Sequence, residues 1–369
     1  MAQVFDPDWI KELHAQYGQR PNYQQPPIYR LATNPEWAEE RERVEQWVCL
    51  LPENKQNEVI ARLREGDQFY TTHNELVVGD WLRQCGHQPE YEKPLGDKIP
   101  DWYVPSIGDL PPFYVEVATV FPPPEFQDEM QRWDELRSRL AQIEHYFHLG
   151  LSVNPGASLV NKDQKSIVDF VNKWLDGFDP DVTTQQEETT YQDGDLRIRF
   201  SLIPRRTRGK APVATAGPVL IWWVNSQHLR DVLRKKLHKY RQAKYMKIPL
   251  VIALVPTFES GFDTDDLLDA LFGKEQVTVY WRNDEIIATE TGRDRTGIVT
   301  PKVQGGKPIM MNTRLSAVLW VTSSQPARAK VIHNPYARFP LYPQVFPELP
   351  NLVVVKEEAG FYELGWVKG

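Results

Sequence analysis

The order of apolar and polar residues along the chain predicts helices first and a mixture of helices and strands later. Up to residue 66, apolar residues recur at helical spacing among polar ones, as in "TNPEWAEERERVEQWVCLL". Asn34 is the expected N-cap of that helix, and Pro35 suits its first position. This pattern predicts a helical N-terminal extension over residues 1–66.

Helical and alternating patterns follow one another in the middle of the chain. "FYVEVATV" (113–120) and "IPLVIALV" (248–255) predict buried strands, and amphipathic spacing predicts long helices over 125–148 and 227–246. Strands dominate towards the C-terminal part. We therefore expect an α/β fold in which helices flank a mixed central β-sheet.

The same patterns predict the organisation of the chain into three parts. The expected parts are a helical N-terminal extension (1–66), an α/β core with additions (67–330) and a Pro-rich, extended C-terminal tail (331–369). The extension carries no residues that indicate chemistry, so packing on the core or binding a protein partner is its expected role.

Composition narrows the function classes. The net charge of −7 excludes a generally basic surface, although it allows a local basic patch. Two cysteines exclude a disulfide framework, and no Cys/His cluster indicates zinc. The first residues lack the pattern of a signal peptide, and the longest apolar runs are far too short to span a bilayer. We expect a soluble, cytoplasmic protein without a membrane partner.

One carboxylate stands out in the strand 113–120. Side chains alternate along a strand, so Glu116 shares a face with Tyr114, Ala118 and Val120 and needs a partner or a function there. Asp101 precedes it at the start of an expected neighbouring strand, and Glu75 lies in an expected helix. These three acids could hold a hard divalent cation such as Mg²⁺. Each of them could equally be a cap, an ion-pair partner or a turn residue.

Residues 75–118 resemble the PD-(D/E)XK, or restriction-endonuclease-like, nuclease superfamily. The helical Glu75, the "PD" at Pro100–Asp101 and the strand residue Glu116 carry the resemblance, which covers roughly residues 67–258. It implies a mixed sheet flanked by helices. It also implies that Asp101 and Glu116 bind Mg²⁺ or Mn²⁺, joined by Glu75 and by the carbonyl of Val117.

The chain departs from the superfamily pattern at one position. The superfamily has a lysine two residues after the glutamate that helps to activate water, whereas this chain has Ala118. Lys236 could replace it, because it lies about 20° from Leu229 on the apolar face of the helix predicted over 227–246. The alternative is that Lys236 extends along its aliphatic stem to water.

Two basic segments contrast with the acidic total. Residues 230–247 hold eight Lys or Arg and one acid, and "RRTRGK" (205–210) holds four cations and no acid. Together they could form a phosphate-contacting surface, or they could be two solvated runs of charge. The candidate nucleic-acid-binding residues are Arg205, Arg206, Arg208, Lys210, Arg234, Lys235, Lys239 and Arg241.

The leading hypothesis is a Mg²⁺-dependent endonuclease that hydrolyses DNA. Its catalytic residues would be Lys236, Asp101 and Glu116, and a role in prokaryotic defence or DNA processing rests on family analogy alone. The first alternative is a degenerate nuclease fold that binds nucleic acid or a protein without cleavage, which Ala118 favours. The second is a purely structural interaction protein. The sequence leaves RNA as a substrate and a homo-oligomeric state open.

Overall fold

A computed structural model gives the placement of most of the chain. The residues it describes are 3–20, 25–154, 157–179, 181–183, 185–204, 209–213, 215–216, 222–241, 247–257, 260–282, 285–305, 307–322, 328–358 and 361–368.

These residues form α-helices and short to medium strands. The α-helices are α1 (Pro7–Tyr17), α2 (Pro27–Thr33), α3 (Ala38–Cys49), α4 (Glu53–Arg64), α5 (Phe69–Gln84), α6 (Pro124–Leu140), α7 (Gln164–Leu175), α8 (Ser226–Lys239) and α9 (Thr264–Phe272). The strands are β1 (Glu90–Tyr91), β2 (Trp102–Val104), β3 (Phe113–Val120), β4 (Glu144–His145), β5 (Phe147–Val153), β6 (Glu188–Asp193), β7 (Leu196–Pro204), β8 (Ala211–Pro212), β9 (Thr215–Ala216), β10 (Trp222–Trp223), β11 (Leu250–Pro256), β12 (Ser260–Gly261), β13 (Glu275–Arg282), β14 (Glu285–Arg293), β15 (Lys302–Gln304), β16 (Lys307–Ile309), β17 (Leu315–Val321), β18 (Ala329–His333), β19 (Pro350–Glu358) and β20 (Phe361–Lys368).

Contacts divide the chain into two units. The first comprises Met1–Pro7, Leu31–Pro122 and Trp223–Gly369, and the second comprises Asp8–Arg30 and Pro123–Trp222. Most of the second unit is therefore inserted in the sequence between β3 and α8 of the first. The three domains expected from the sequence pattern stay a prediction.

The first unit is built on a mixed sheet with strand order β1-β2-β3-β11-β17-β18-β19-β20. The pairs β1–β2 and β2–β3 are antiparallel, whereas β11 is parallel to both β3 and β17. Nearly every residue of β3, β11 and β17 is buried, as expected for central strands covered on both faces. The predicted α/β class with a mixed central sheet is confirmed.

Helices α5 and α8 contact opposite faces of β3. Ala118 and Val120 belong to the same core cluster as Leu229, Leu233 and Leu237 of α8. On the other face, Asn74 of α5 donates a hydrogen bond to Thr119 at 3.2 Å. The alternation predicted for β3 is therefore confirmed, with Glu116 on the face that α8 covers.

The second unit has a smaller core. Its sheet has the strand order β6-β7-β5-β9, and its inward side chains pack against α6 and α7. Trp133, Leu136 and Leu140 come from α6, and Ile167, Val171 and Leu175 come from α7, each set at helical spacing.

Two predicted helices end earlier than their patterns suggested. The helix expected over 125–148 ends at Leu140, because the following residues alternate and bury Phe147, Leu149 and Leu151 in β5. The helix expected over 227–246 ends at Lys239, and residues 242–246 lie outside the described part of the chain.

The helical pattern predicted for the N-terminal residues is present, with one difference. Residues 1–66 contain α1 to α4, and Asn34 caps a helical segment by accepting a hydrogen bond from the N–H of Glu36. That segment is a short 3₁₀ turn, Pro35–Trp37, which leads into α3. Among the helices of the described ranges, none is long and apolar enough to cross a membrane.

Candidate active site at Glu116

Strand register brings Asp101 and Glu116 to the same place. β2 pairs with β3 so that Trp102 lies opposite Val115, which sets Asp101 opposite Glu116 one residue further on. Directly opposite residues of an antiparallel pair project from the same face of the sheet. Asp101 immediately precedes β2, and its carboxylate reaches the N–H of Val117, the residue next to Glu116.

Glu116 is a buried carboxylate with a full set of hydrogen-bond donors. Only 1% of the residue is exposed. Lys236 donates to Oε1 at 3.0 Å, Lys239 donates to both oxygens at 2.9 Å, and the hydroxyl of Tyr240 donates to Oε2. A carboxylate has about four acceptor positions, so these four interactions saturate it.

Helix α8 and Tyr240, the residue that follows its last turn, supply these donors because of their spacing. Lys236, Lys239 and Tyr240 are separated by three and four positions, so they share one side of the helix end. The helix is fixed over β3 by the apolar residues Leu233 and Leu229, about one and two turns before Lys236. The packing of the apolar side of α8 on β3 thereby places Lys236 and Lys239 at the buried Glu116.

The charges of the acids raise the pKa of Lys236. Burial alone would lower it, but the charges of Glu116 and Asp101 and the hydrogen bond to Glu116 outweigh that effect. Lys236 is therefore protonated at neutral pH. The pKa of the Tyr240 hydroxyl is raised as well, first by burial and then by the charge of Glu116, so Tyr240 stays a hydrogen-bond donor.

Asp101 is held by the backbone of the strand beside it. Its Oδ2 accepts a hydrogen bond from the N–H of Val117 at 2.6 Å. Burial is the main cause that raises the pKa of Asp101 well above its usual value, and the charges of Glu116 and Glu75 add to it. Lys236 and the Val117 N–H act in the opposite direction. The negative charge of Glu116 thus disfavours ionisation of Asp101.

Glu75 reaches the same region from α5. The residue is 5% exposed, and its Oε2 accepts a hydrogen bond from the Tyr91 hydroxyl at 2.8 Å and lies 3.4 Å from the Arg62 guanidinium. Burial raises the pKa of Glu75, which the charges of Arg62 and Lys236 partly offset. Glu75 is therefore within electrostatic range of Lys236 but is bound to different partners.

Close packing of α5 on β2 fixes the position of Glu75. The indole N–H of Trp102 donates to the backbone carbonyl of Glu75 at 2.8 Å. The Trp102 ring lies on Gly79, where an added Cβ would come within 2.1 Å of a ring carbon. Gly79 is thus required for this approach of helix to strand.

Those predicted nucleic-acid-binding residues that the structure describes have different surroundings. Lys239 lies on Glu116, whereas Lys235 and Arg241 are exposed and Arg234 pairs with Asp231 at 3.2 Å. Lys210 is exposed in the second unit. The predictions for Arg205, Arg206 and Arg208 lie outside the described residues.

The oxygen atoms at this position suit Mg²⁺ or Mn²⁺, provided that one of the present hydrogen-bond donors leaves Glu116. The N–H and C=O of a strand residue point the same way, so the Val117 carbonyl faces the side on which Asp101 accepts from its N–H. Within the described ranges, no three His, Cys, Asp or Glu side chains are arranged to hold a metal. An ion would therefore use Asp101, Glu116, the Val117 carbonyl and water, and one donor would have to leave Glu116.

Sequence reasoning missed several members of the cluster. Tyr240 falls at helical spacing on the apolar face of the predicted helix, and nothing near Tyr91 or Arg62 in the sequence indicates a site. The spacing of Lys236, Lys239 and Tyr240 was the available signal, since all three fall within one helical turn. A comparison of the chain with family models, with curated proteins and with solved structures finds no match.

Proposed function

We propose that the first unit hydrolyses phosphodiester bonds in DNA with the help of Mg²⁺ or Mn²⁺. The observation that carries the proposal is the meeting of Lys236 with Glu116 at 3.0 Å, beside Asp101 on the neighbouring strand. Ala118, two positions after Glu116, has no polar side-chain atom. Lys236 of α8 supplies the ammonium group at Glu116 instead. Within the first unit, the order of elements also supports the resemblance: α5, the antiparallel strands β1 to β3 and, after the inserted second unit, α8 and the parallel strand β11.

Asp101, Glu116 and the Val117 carbonyl would hold the ion. When bound, the ion supplies positive charge that stabilises the charge developing on the phosphate. The Asp101 carboxylate is kept in place by the Val117 N–H, and Glu75 would act on the site through its charge.

The protonation of Lys236 determines its part in the reaction. A lysine with a raised pKa carries its proton at neutral pH and is a poor base. Lys236 would therefore orient the attacking water and donate to a phosphate oxygen. Lys239 would balance the same developing charge from one helical turn further on.

A second candidate is a nuclease-like module that binds nucleic acid without cleaving it. The saturation of Glu116 favours this candidate, because Lys236, Lys239 and Tyr240 occupy its acceptor positions. In an enzyme, the cation and one of these donors must compete for Glu116. In a binding module, the lysines would keep Glu116 permanently neutralised.

The test is a cleavage assay on plasmid DNA, single-stranded DNA and RNA with about 5 mM Mg²⁺ or Mn²⁺, against a chelated control. We expect metal-dependent cleavage of DNA, and a loss of about 100-fold or more in Glu116→Gln and Lys236→Ala. Lys235→Ala is the comparison on the same helix: it should chiefly weaken DNA binding and leave the cleavage rate at saturating DNA within about threefold. Circular dichroism and unfolding curves establish that each variant is folded.

The outcomes separate the candidates. Absence of cleavage on every substrate, with DNA binding retained, would leave the binding module as the function. Cleavage that survives Lys236→Ala at the wild-type rate would remove Lys236 from the mechanism while leaving the enzyme in place. Loss of activity in Lys235→Ala to the same degree would show a general dependence on the charge of α8.

A further inference from the structure

A second polar region of α8 lines a cavity. The cavity has a volume of about 390 Å³, which is within the range of sites for small ligands. Four of its lining side chains are cationic and none of the described lining residues is acidic. The cationic lining residues are Arg230, Arg234, Arg295 and Lys302, and Ile298 and Met311 are apolar lining residues.

Arg230 is the buried member of this group. The residue is 6% exposed, and its Nη1 donates to the Thr296 hydroxyl at 2.7 Å. Its Nε has no hydrogen-bond partner within the described part of the chain. A guanidinium has five N–H donors, and a buried one without an anion is costly. Arg230 is therefore under-compensated by the protein groups around it.

The acids near the cavity neutralise only part of its charge. Asp231 pairs with Arg234, but both side chains are more than half exposed, so the pair is weak. Asp294 accepts from the N–H and the hydroxyl of Thr296 and lies within electrostatic range of Arg230. Arg295 and Lys302 are exposed and have no acid among the residues that line the cavity. The cavity thus has a surplus of positive charge.

The spacing of α8 keeps this cavity apart from Glu116. Gln227, Arg230 and Arg234 follow one another at three and four positions and share one side of the helix. Lys236 lies six positions after Arg230, which is about 120° around the helix from it. None of the residues that hold Glu116 lines the cavity.

We propose that this cavity binds a small phosphorylated ligand of about the size of a mononucleotide. Arg230, Arg295 and Lys302 would bind the phosphate group, since guanidinium groups match phosphate oxygens bidentately. Ile298 and Met311 would contact an apolar or aromatic part of the ligand. The proposal uses residues other than those of the proposed hydrolytic site, so either can fail without the other.

The test is calorimetric titration of the full chain with inorganic phosphate and with adenosine monophosphate, at constant ionic strength set with chloride. We expect both to bind, and adenosine monophosphate to bind more tightly. Arg295→Ala should weaken both about tenfold, because it removes a charge-assisted contact from an exposed position that folding does not need. Arg328→Ala, an exposed arginine that does not line the cavity, is the matched control and should leave binding unchanged.

Arg230→Met provides a second variant at the buried position and should also lose binding. Equal loss in Arg295→Ala and Arg328→Ala, or no binding of either ligand by the wild type, would overturn the proposal. It would also be overturned if Arg295→Ala weakened the binding of a DNA oligonucleotide alone, because the cavity would then contact a polymer backbone. Equal affinity for phosphate and adenosine monophosphate would restrict the site to the phosphate group and reject the nucleotide-sized ligand.

Discussion

Helix α8 presents positive charge in two regions that differ in how that charge is balanced. At its C-terminal end, Lys236 and Lys239 meet the buried Glu116 at 2.9–3.0 Å, and every acceptor position of that carboxylate is used. Closer to its start, Arg230 is buried against Thr296, and no acid lines the cavity beside it. One helix therefore carries a compensated charge cluster and an under-compensated one.

This difference in charge balance distinguishes charged groups that stabilise the fold from charged groups that are available to a ligand. The members of a saturated cluster stabilise the fold together, because removal of one member leaves the others buried without a partner. An unsaturated guanidinium contributes little to stability but retains donors for an external anion. Three substitutions test this distinction, and they are ordered from the largest expected effect on folding to the smallest.

Glu116→Leu should give the largest effect. It leaves two ammonium groups and the Tyr240 hydroxyl without their shared acceptor, so the free energy of unfolding should fall by about 3 kcal/mol. The lysines are 28% and 36% exposed, which limits the loss by letting them reach water. Urea unfolding followed by circular dichroism measures the change.

The control for Glu116→Leu is Glu285→Leu at an exposed position in β14, where the change should stay within about 0.5 kcal/mol. A loss below about 1 kcal/mol in Glu116→Leu would mean that the lysines do not depend on Glu116. The compensated cluster would then have no role in stability.

Arg230→Met should have a smaller effect on folding. The substitution removes a hydrogen bond to Thr296, worth about 1 kcal/mol, but it also removes a buried charge that the protein leaves partly unbalanced. We expect the free energy of unfolding to change by no more than about 1 kcal/mol, measured in the same urea series. A loss as large as that of Glu116→Leu would show that both regions are equally structural.

Asp231→Asn should change folding least. The Asp231–Arg234 pair is exposed, so its loss should cost well under 1 kcal/mol. Removing this acid frees Arg234 and should tighten phosphate binding about two- to threefold, as read by titration calorimetry. Weaker phosphate binding would mean that Asp231 holds Arg234 in a binding geometry and does not compete for it.

Much of the first unit follows from local pattern. The alternation of β3 and the apolar run of β11 predicted two covered strands, and both are central in the sheet. The ends of α6 and α8 did not follow from pattern, because helical apolar spacing continues in the sequence past Leu140 and Lys239, where the helices end. The insertion of the second unit depends on contacts between residues far apart in the sequence. Periodicity within a short window does not predict such contacts.

The site was predictable in part for the same reason. Glu116 stood out as a carboxylate in an apolar strand, and Lys236 as a lysine on an apolar stripe, so each could be found from its own element. Their meeting joins residues 120 positions apart, and no local signal encodes it. Tyr91 and Arg62 bind Glu75 through tertiary packing alone, and no local pattern marks either residue.

The insertion between β3 and α8 has a consequence for how the chain folds. Glu116 lies opposite Ile252 on the parallel strand β11. During synthesis, more than a hundred residues must be added after β3 before β11 is available to pair with it. Parallel pairing across such a separation is slow, because the chain must close a long loop before the contact forms. Glu116 remains hydrated through this interval, and its desolvation by Lys236, Lys239 and Tyr240 becomes a late step in folding. We therefore expect early folding intermediates of the first unit to carry α5 with β2 and β3, and to leave the charge cluster unformed.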